Sequence, residues 1–418
     1  MTTVPTLLDA GPDSVQEDIA EAYALVRAFD GDATWSAAGD PHAEFAELRR
    51  RGAVQRSTLE RVMAGVDVPE ETATLVWHVV SFAAAEAVLR DEDTFSSSAY
   101  DESMGRLIGR SFLQMDHQEH RIWRNVLHGG FNRQAALALR NAVRSDTAAA
   151  LNAVAARGGG DLVAEVAFPV ALTTIARMIG FPPGTRIGTL YTWAVGLLDD
   201  TGGRISTAVE ELLDTPSAWV PGGLVDLLLG TESPEIGSGP QLLPAVRLLL
   251  STGTEPPFRS LATLMYATLT DRSVADLLRT DPSAASSVFQ ECWRWECPLT
   301  WVLRRCTTDT VLSGQAIRRG DLVCVNLASA NRDETRWSHP ERFDPRREPL
   351  PSLAMGTGPH TCLGRHLAAL EADQMLSALI DVLLPDRSPG WVLDSDGPIG
   401  RGFRSPSRLD VRVAPSPR

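Results

Sequence analysis

The chain has 418 residues, 44% of them hydrophobic, and a formal net charge of −14 from 53 acidic and 39 basic residues. That length supports a large core, and the acidic balance excludes the basic face of a dedicated nucleic-acid binder. No apolar run is long enough to span a bilayer, and the N-terminus lacks a basic segment followed by an apolar one. Neither a membrane span nor a signal peptide is therefore expected, and the chain reads as cytoplasmic. All 39 basic residues are arginine, a usage that points to GC-rich bacterial coding. Five cysteines, Cys292, Cys297, Cys306, Cys324 and Cys362, are odd in number and confined to the C-terminal third, so a disulfide framework is not expected.

In chain order, "TLVWHVV" (74–80) alternates as a strand, and "AAEAVLRDEDTF" (84–95) and "HRIWRNVLHGGF" (120–131) carry apolar residues at helical spacing. The stretches 133–160 and 161–183 continue in helical pattern until Gly or Pro ends them. Residues 214–240, "DTPSAWVPGGLVDLLLGTESPEIGSGP", are rich in Gly, Pro and Ser and read as a mobile connection. "FRSLATLMYATLTDR" (258–272) is helical, while "TVLSG" (310–314), "LVCVNLA" (322–328) and "LDVRVAP" (409–415) read as strands. The expected class is mainly α with small β-sheets. No repeat or internal boundary appears, so residues 1–418 read as a single domain.

The stretch "GTGPHTCLGRHLAALEA" (356–372) delivers Cys362 from a glycine-rich loop onto an amphipathic helix. A phosphate loop fails, because Thr361 stands where the last glycine of a G-x-G-x-x-G would fall and Pro359 removes a backbone donor. Zinc would draw on His360, Cys362 and His366, but no second ligand pair completes a tetrahedron. A cysteine nucleophile would need a base and an oxyanion hole, which the sequence leaves open. A haem ligand accounts for more. A glycine-rich turn lets backbone N–H groups point at a thiolate, the following helix N-terminus adds positive potential, and Gly356, Gly358 and Gly364 let a macrocycle approach the backbone. A merely buried cysteine does not call for these glycines.

"MGTGPHTCLGRHLAALE" (355–371) resembles the haem-binding segment of the cytochrome P450 superfamily, F-G-x-G-x-H-x-C-x-G followed by L-A-x-x-E, with Met355 in place of the leading aromatic. "FQECWRWECPLTWVLRR" (289–305) resembles that family's E-x-x-R helix, placing Glu291 and Arg294 on one helical face. "NRDETRWSHPERFDPRR" (331–347) is similar to the meander on which that pair locks, which gives Glu291, Arg294 and Arg342 a structural role. "DHQEHRIWR" (116–124) is similar to the start of the family's C-helix. The match implies that His120, Arg124, Arg305 and His360 hold the haem propionates, with Gly356 and Gly364 against the macrocycle. The resemblance covers nearly the whole chain. It implies the P450 fold, an α-rich prism with haem between a long distal helix and the cysteine loop, and haem b with Cys362 on the iron.

One motif departs from the family. The distal helix should carry [AG]-G-x-[DE]-T-[TS], and the matching residues are "TGTEPP" (252–257). Gly253 and Glu255 fit, but Pro256 replaces the alcohol that relays protons and offers no side-chain hydrogen bond. Two prolines inside a helix would cost roughly 3 kcal/mol or more apiece, and the periodicity resuming at 258 points to a kink rather than a stop. Ordinary hydroxylation is therefore expected to be impaired or differently protonated, with Glu255, Thr254 and Gly253 as the remaining catalytic candidates. Oxidative coupling, ring closure or substrate-assisted oxidation becomes more plausible than for a usual member. The same resemblance puts Phe258, Leu299, Trp301 and Val302 at the substrate pocket.

The resemblance implies a haem-thiolate oxidoreductase of the monooxygenase type, acting on a small natural-product molecule. Its electrons would come from NAD(P)H through a ferredoxin and ferredoxin reductase, docking where Arg121 and Arg365 lie. The alternative is a haem protein that keeps the fold without turnover and recruits a partner or senses a ligand. A structural zinc protein is a third, weaker reading.

Overall fold

Apolar residues at three- and four-residue spacing build the helices. The computed structural model describes residues 23, 24, 26, 39–69, 71–182, 185, 213–231, 233–237, 239–385 and 390–414. Helix α1 is His42–Arg51 and α2 is Phe82–Arg90, the latter capped by the Ser81 hydroxyl accepting from the Ala84 N–H. Helix α3, His117–Phe131, buries His120, Trp123, Leu127 and Phe131 along one face. The run from 133 divides at Leu139 into α4, Arg133–Ala138, and α5, Arg140–Ala156. Helix α6, Phe168–Ile179, follows a π-helical turn at Val163–Ala167 and is buried on all sides, apart from Arg177, as befits a helix at the centre of the core.

The segment expected to be a mobile connection holds packed structure where it is described. Helix α7, Leu224–Leu229, buries Leu224, Val225 and Leu228, and Leu224 lies so close to Gly130 of α3 that a Cβ there would fall 2.6 Å from its Cδ1. A short apolar triad inside a Gly- and Pro-rich stretch is enough to dock it.

Next comes the interrupted helix. Helix α8, Leu243–Thr252, stops and α9, Glu255–Thr270, starts after two intervening residues. Gly253 (φ −85°, ψ −6°) and Thr254 (φ −106°, ψ −59°) both remain right-handed, and the Phe258 N–H donates to the Thr254 carbonyl at 3.0 Å. The expected kink is thus a break and restart. Pro256 and Pro257 occupy the first turn of α9, where the backbone N–H would have no helical partner anyway, so the penalty of an interior proline does not arise. Gly253 is needed for proximity rather than for backbone freedom, because a Cβ would fall 2.3 Å from Ile175 Cγ1 of α6 and 2.5 Å from the Leu249 carbonyl. Helices α10, Arg272–Thr280, α11, Ala285–Trp295, and α12, Arg365–Val382, follow, with α12 packed against α5, α9 and α11.

Among the described residues ten short strands form three sheets. Strands β1 (Val54–Thr58), β2 (Leu75–Val79), β3 (Phe95–Ser96), β5 (Trp301–Cys306) and β8 (Leu322–Asn326) make a five-stranded sheet in the order β1-β2-β8-β5-β3. Only β2 and β8 in that sheet run parallel. Strand β4 (Gly159–Asp161) joins β10 (Leu409–Val413) and β9 (Trp391–Ser395), and β6 (Thr310–Leu312) with β7 (Gln315–Ile317) is a hairpin. Its turn residues Ser313 and Gly314 have φ of 49° and 82°, the left-handed pair a two-residue hairpin requires. Among the described residues no helix is long and apolar enough to cross a membrane.

The E-x-x-R pair locks α11 to the chain that precedes the cysteine loop. Arg294 donates to both carboxylate oxygens of Glu291, at 2.7 and 2.8 Å, and to the carbonyls of Asn331, Pro340 and Arg342 at 2.8–3.1 Å. Glu291 also accepts from the Asp344 N–H at 2.9 Å and from Arg347 Nε at 3.2 Å. Arg342 contributes only its carbonyl, since its guanidinium is exposed beside Glu341. The side chain expected from Arg342 is supplied by Arg347.

Candidate active site

The cysteine loop, the α8–α9 break, α3 and β5 enclose a cavity of about 290 Å³. Cys362 lies on its wall with Met355, Gly356, Leu363 and Gly364, and Leu248, Leu249, Thr252, Gly253, Pro256 and Pro257 form part of the same wall from α8, the break and the first turn of α9. The loop is shaped by backbone. Cys362 N–H donates to the Met355 carbonyl at 2.8 Å, and Gly356 and Gly358 sit at φ of 66° and 73°. At Gly358 a Cβ would fall 2.5 Å from the Leu89 carbonyl of α2, so only glycine fits. At Gly364 a Cβ would meet nothing nearer than Cys362 Sγ at 3.9 Å, so the missing side chain leaves cavity open above the sulfur.

Burial pushes the Cys362 thiol above its ordinary value, opposed by the Gly364 N–H aimed at sulfur and by the Arg124 and Arg365 guanidiniums. The other four cysteines lie buried off the cavity wall, and burial raises the thiols of Cys292, Cys297 and Cys324 strongly.

A cationic edge completes the enclosure. His120 and His360 stack at 3.9 Å between ring centroids and 16° between planes, with His360 Nε2 at 3.1 Å from Ser97 Oγ and 3.6 Å from Asp116 Oδ1. Burial drives the His120 imidazole down to about 3 and lowers His360 as well, the latter against the opposing pull of Asp116. Arg124 and Arg304 lie beside them, and among the described residues neither makes an ion pair; Arg304 reaches only the adjacent Leu303 carbonyl, at 2.7 Å. Burial lowers both guanidiniums. A buried cation, Arg304, and a half-buried one, Arg124, without carboxylates define a place for a dianion, and two propionates have the charge and lone pairs to fill it. The cavity, its single thiol and this edge therefore fit haem.

Strand alternation decides which arginine faces inward. Successive side chains of β5 point to opposite faces, and Val302 and Arg304 line the cavity. Trp301 and Leu303 pack on the other side with Val62, Val76 and Cys324, and Arg305 donates outward to the Gly320 carbonyl at 3.2 Å. The places expected of Arg305 and Trp301 are thereby corrected: Arg304, not Arg305, lines the cavity, and Trp301 is core. Leu299 lines the cavity as expected, while Phe258 is core, packed edge-on against Phe168 at 5.7 Å.

The catalytic candidates also separate. Gly253 lines the cavity, whereas Thr254 is fully buried with its hydroxyl donating to the Leu250 carbonyl at 2.7 Å. Glu255 is buried away from the wall and held by Arg259, whose Nε and Nη2 lie 3.1 and 3.0 Å from its Oε2. His366, once a zinc candidate, belongs to a surface hollow with Arg133, Arg140 and Asp373. Sequence reasoning missed Arg304, which the alternation of β5 could have found, and gave no place in the site to Glu371, the acid of the L-A-x-x-E motif, which is a buried carboxyl on the cavity wall contributed by α12.

The model of the family described as cytochrome P450 matches residues 285–383, which contain the E-x-x-R helix, the meander and the cysteine loop. The chain is 30% identical over 388 residues to cytochrome P450 monooxygenase PikC of Streptomyces venezuelae, covering 88% of this chain and 90% of that one. The chain belongs to the cytochrome P450 family. This P450 is also 27% identical to putative cytochrome P450 YjiB of Bacillus subtilis, over 80% of its own length and 92% of the relative. Its fold superposes on the crystal structure of CalO2 with a TM-score of 0.77 at 26% identity, covering 90% and 97% of the two chains. As a P450 it is an oxidoreductase, and the family's cofactor is haem b with a cysteine thiolate on the iron.

Proposed function

We propose that this P450 is a monooxygenase-type enzyme acting on an apolar small molecule, with Cys362 as the thiolate ligand. The observation that carries the assignment is the cavity itself, which joins one thiol to two guanidiniums, one buried and one half-buried, that among the described residues lack an anion. His120, Arg124, Arg304 and His360 would hold the propionates, and Gly364 N–H would stabilise the thiolate. The bound haem supplies the oxidising chemistry. Leu113, Leu248, Leu249, Leu299 and Val302 give the wall its apolar character and exclude water around an apolar substrate. Electrons would come from NAD(P)H through a ferredoxin and its reductase, for which the exposed Arg121 and Arg365 offer cationic contacts. PikC is a monooxygenase and other relatives are steroid C26-monooxygenases of mycobacteria, which supports a tailoring role on a hydrophobic scaffold.

A second reading has one observation in its favour: Pro256 stands in the distal wall and Glu255 is tied to Arg259, so the family's acid–alcohol pair is missing. On that reading the protein binds haem and a ligand without turnover. The first test is the ferrous–CO absorption spectrum of the purified protein and of Cys362→Ser. The red-shifted Soret band of thiolate ligation is expected in the first and absent in the second; its absence from the haem-loaded wild-type protein overturns the ligand assignment. Turnover of a substrate panel with a surrogate ferredoxin system then separates enzyme from silent module.

A further inference from the structure

The backbone carbonyls around the α8–α9 break can be accounted for one by one. The Leu249 carbonyl accepts from the Gly253 N–H at 2.9 Å, Leu250 from the Thr254 hydroxyl at 2.7 Å, and Ser251 from the Thr254 N–H at 3.2 Å. Past the break, the Thr254 carbonyl accepts from the Phe258 N–H at 3.0 Å. Thr252 and Gly253 lie between these. A continuous helix would close their carbonyls with the N–H groups of residues 256 and 257, but Pro256 and Pro257 have none. Among the described residues nothing else donates to either carbonyl.

Thr252, Gly253, Pro256 and Pro257 all line the cavity, where Thr252 is exposed and the other three are half-buried. The break therefore opens onto the ligand space instead of closing on itself. No side chain of the same stretch competes for the two carbonyls. The Thr252 hydroxyl donates to the Leu248 carbonyl at 2.6 Å, the Thr254 hydroxyl is taken by Leu250, and Glu255 is turned to Arg259. Around them the wall is apolar, built from Ile175, Leu248 and Leu249.

We propose that the Thr252 and Gly253 carbonyls are a recognition site for a hydrogen-bond donor, and that the substrate is an apolar molecule carrying a hydroxyl or an amide N–H on the side that meets this wall. The proposal rests on the haem-thiolate reading above, which makes the wall a substrate wall. Its chemistry has one sign. In a water-filled cavity a carbonyl accepts from water, and a ligand's O–H or N–H replaces that hydrogen bond with another. A ligand whose polar atoms are all acceptors, such as an ether, ketone or ester, removes the water and leaves both carbonyls unpaired in an apolar surround. The two prolines thus convert the wall into a filter that favours donors, because they delete the N–H groups that would occupy these acceptors.

The test titrates the ferric holoprotein with azoles that coordinate iron and reads the shift of the Soret band. The probes are imidazole and the ortho, meta and para isomers of hydroxyphenyl-imidazole, each isomer paired with its methoxy analogue, which keeps the oxygen and loses the donor. At least one hydroxyl isomer should bind roughly tenfold more tightly than its methoxy partner, the upper range for a neutral hydrogen bond. In P256A/P257A the restored N–H groups close on the two carbonyls, so the preference should fall below about twofold while imidazole binds as in wild type. Each single variant, P256A or P257A, restores one N–H and should remove part of the preference, which keeps the test decisive should the double variant not fold. Equal affinities within every hydroxy–methoxy pair of the wild-type protein overturn the proposal, as does an undiminished preference in P256A/P257A. The ferrous–CO spectrum keeps the two readings distinct. A wild-type protein lacking the red-shifted band fails the haem-thiolate reading and this proposal with it, whereas a normal band with equal affinities fails this proposal alone.

Discussion

Replacing Arg304 and replacing Arg305 by glutamine should have opposite consequences for haem, although the two are adjacent and chemically alike. Arg304 is 6% exposed, and among the described residues it makes no ion pair and reaches only its neighbour's carbonyl, so without haem it is a desolvated cation without an anion there. Filling that place with a propionate creates a charge-assisted hydrogen bond worth about 1.5–3 kcal/mol. R304Q should therefore release haem roughly 10- to 150-fold more readily, read as the rate of transfer to an excess of a tighter haem-binding protein. In the haem-free protein the sign reverses, because removing a buried unpaired charge relieves desolvation, and urea unfolding should find R304Q at least as stable as wild type. R305Q, at the outer face of β5, should leave both measurements unchanged. Haem loss in R305Q with normal retention in R304Q would refute the strand-face assignment.

The same comparison applies at the meander. Arg347→Ala should lower stability by about 2 kcal/mol, since it deprives buried Glu291 of a donor, while Arg342→Ala should lie within about 0.5 kcal/mol of wild type; urea unfolding of the two variants checks both. Acid should weaken the fold through His78, which is 3% exposed and accepts at Nε2 from Asn326 Nδ2 at 3.1 Å. Burial holds its pKa down to about 4 from 6.5, so the unfolded chain takes up the proton first. The contribution of neutral His78 is complete above pH 6.5 and is lost as pH falls towards 4, by about 3 kcal/mol. Unfolding midpoints measured across that window should fall less steeply in His78→Gln, and parallel slopes would remove His78 as the cause.

What could be read from the sequence followed from two kinds of signal. Apolar periodicity located α2, α3 and the second half of the distal helix, and alternation located β2, β8 and β10, because in each the buried face repeats with the element's own period. The cysteine loop was legible because its glycines answer a local demand, a positive φ or a near approach of backbone. Pairs set by tertiary contact were not. "LRR" at 303–305 offers two equivalent cations, and only the pairing of β5 with β8 fixes which one points inward. Glu255 fits the acidic position of a motif, yet Arg259 four residues on captures it, a competition that residue type alone does not reveal. Arg347 replaced Arg342 for the same reason, since the meander's path decides which guanidinium reaches Glu291.

The distal wall shows how one local change redistributes chemistry across a fold. Starting a helix at Glu255 makes two consecutive prolines cheap, because the first turn has N–H groups to spare. The same prolines remove the donors that a helix N-terminus would otherwise aim into the cavity, and Gly253 must remain glycine because Ile175 fills the space below it. The break therefore presents acceptors from the backbone and no donor from either proline. Thr252 does not compensate, since its hydroxyl donates back to the Leu248 carbonyl at 2.6 Å. Thr254 is likewise spent on Leu250, and Glu255 is turned to Arg259. A proton needed at this wall must come from outside the distal helix.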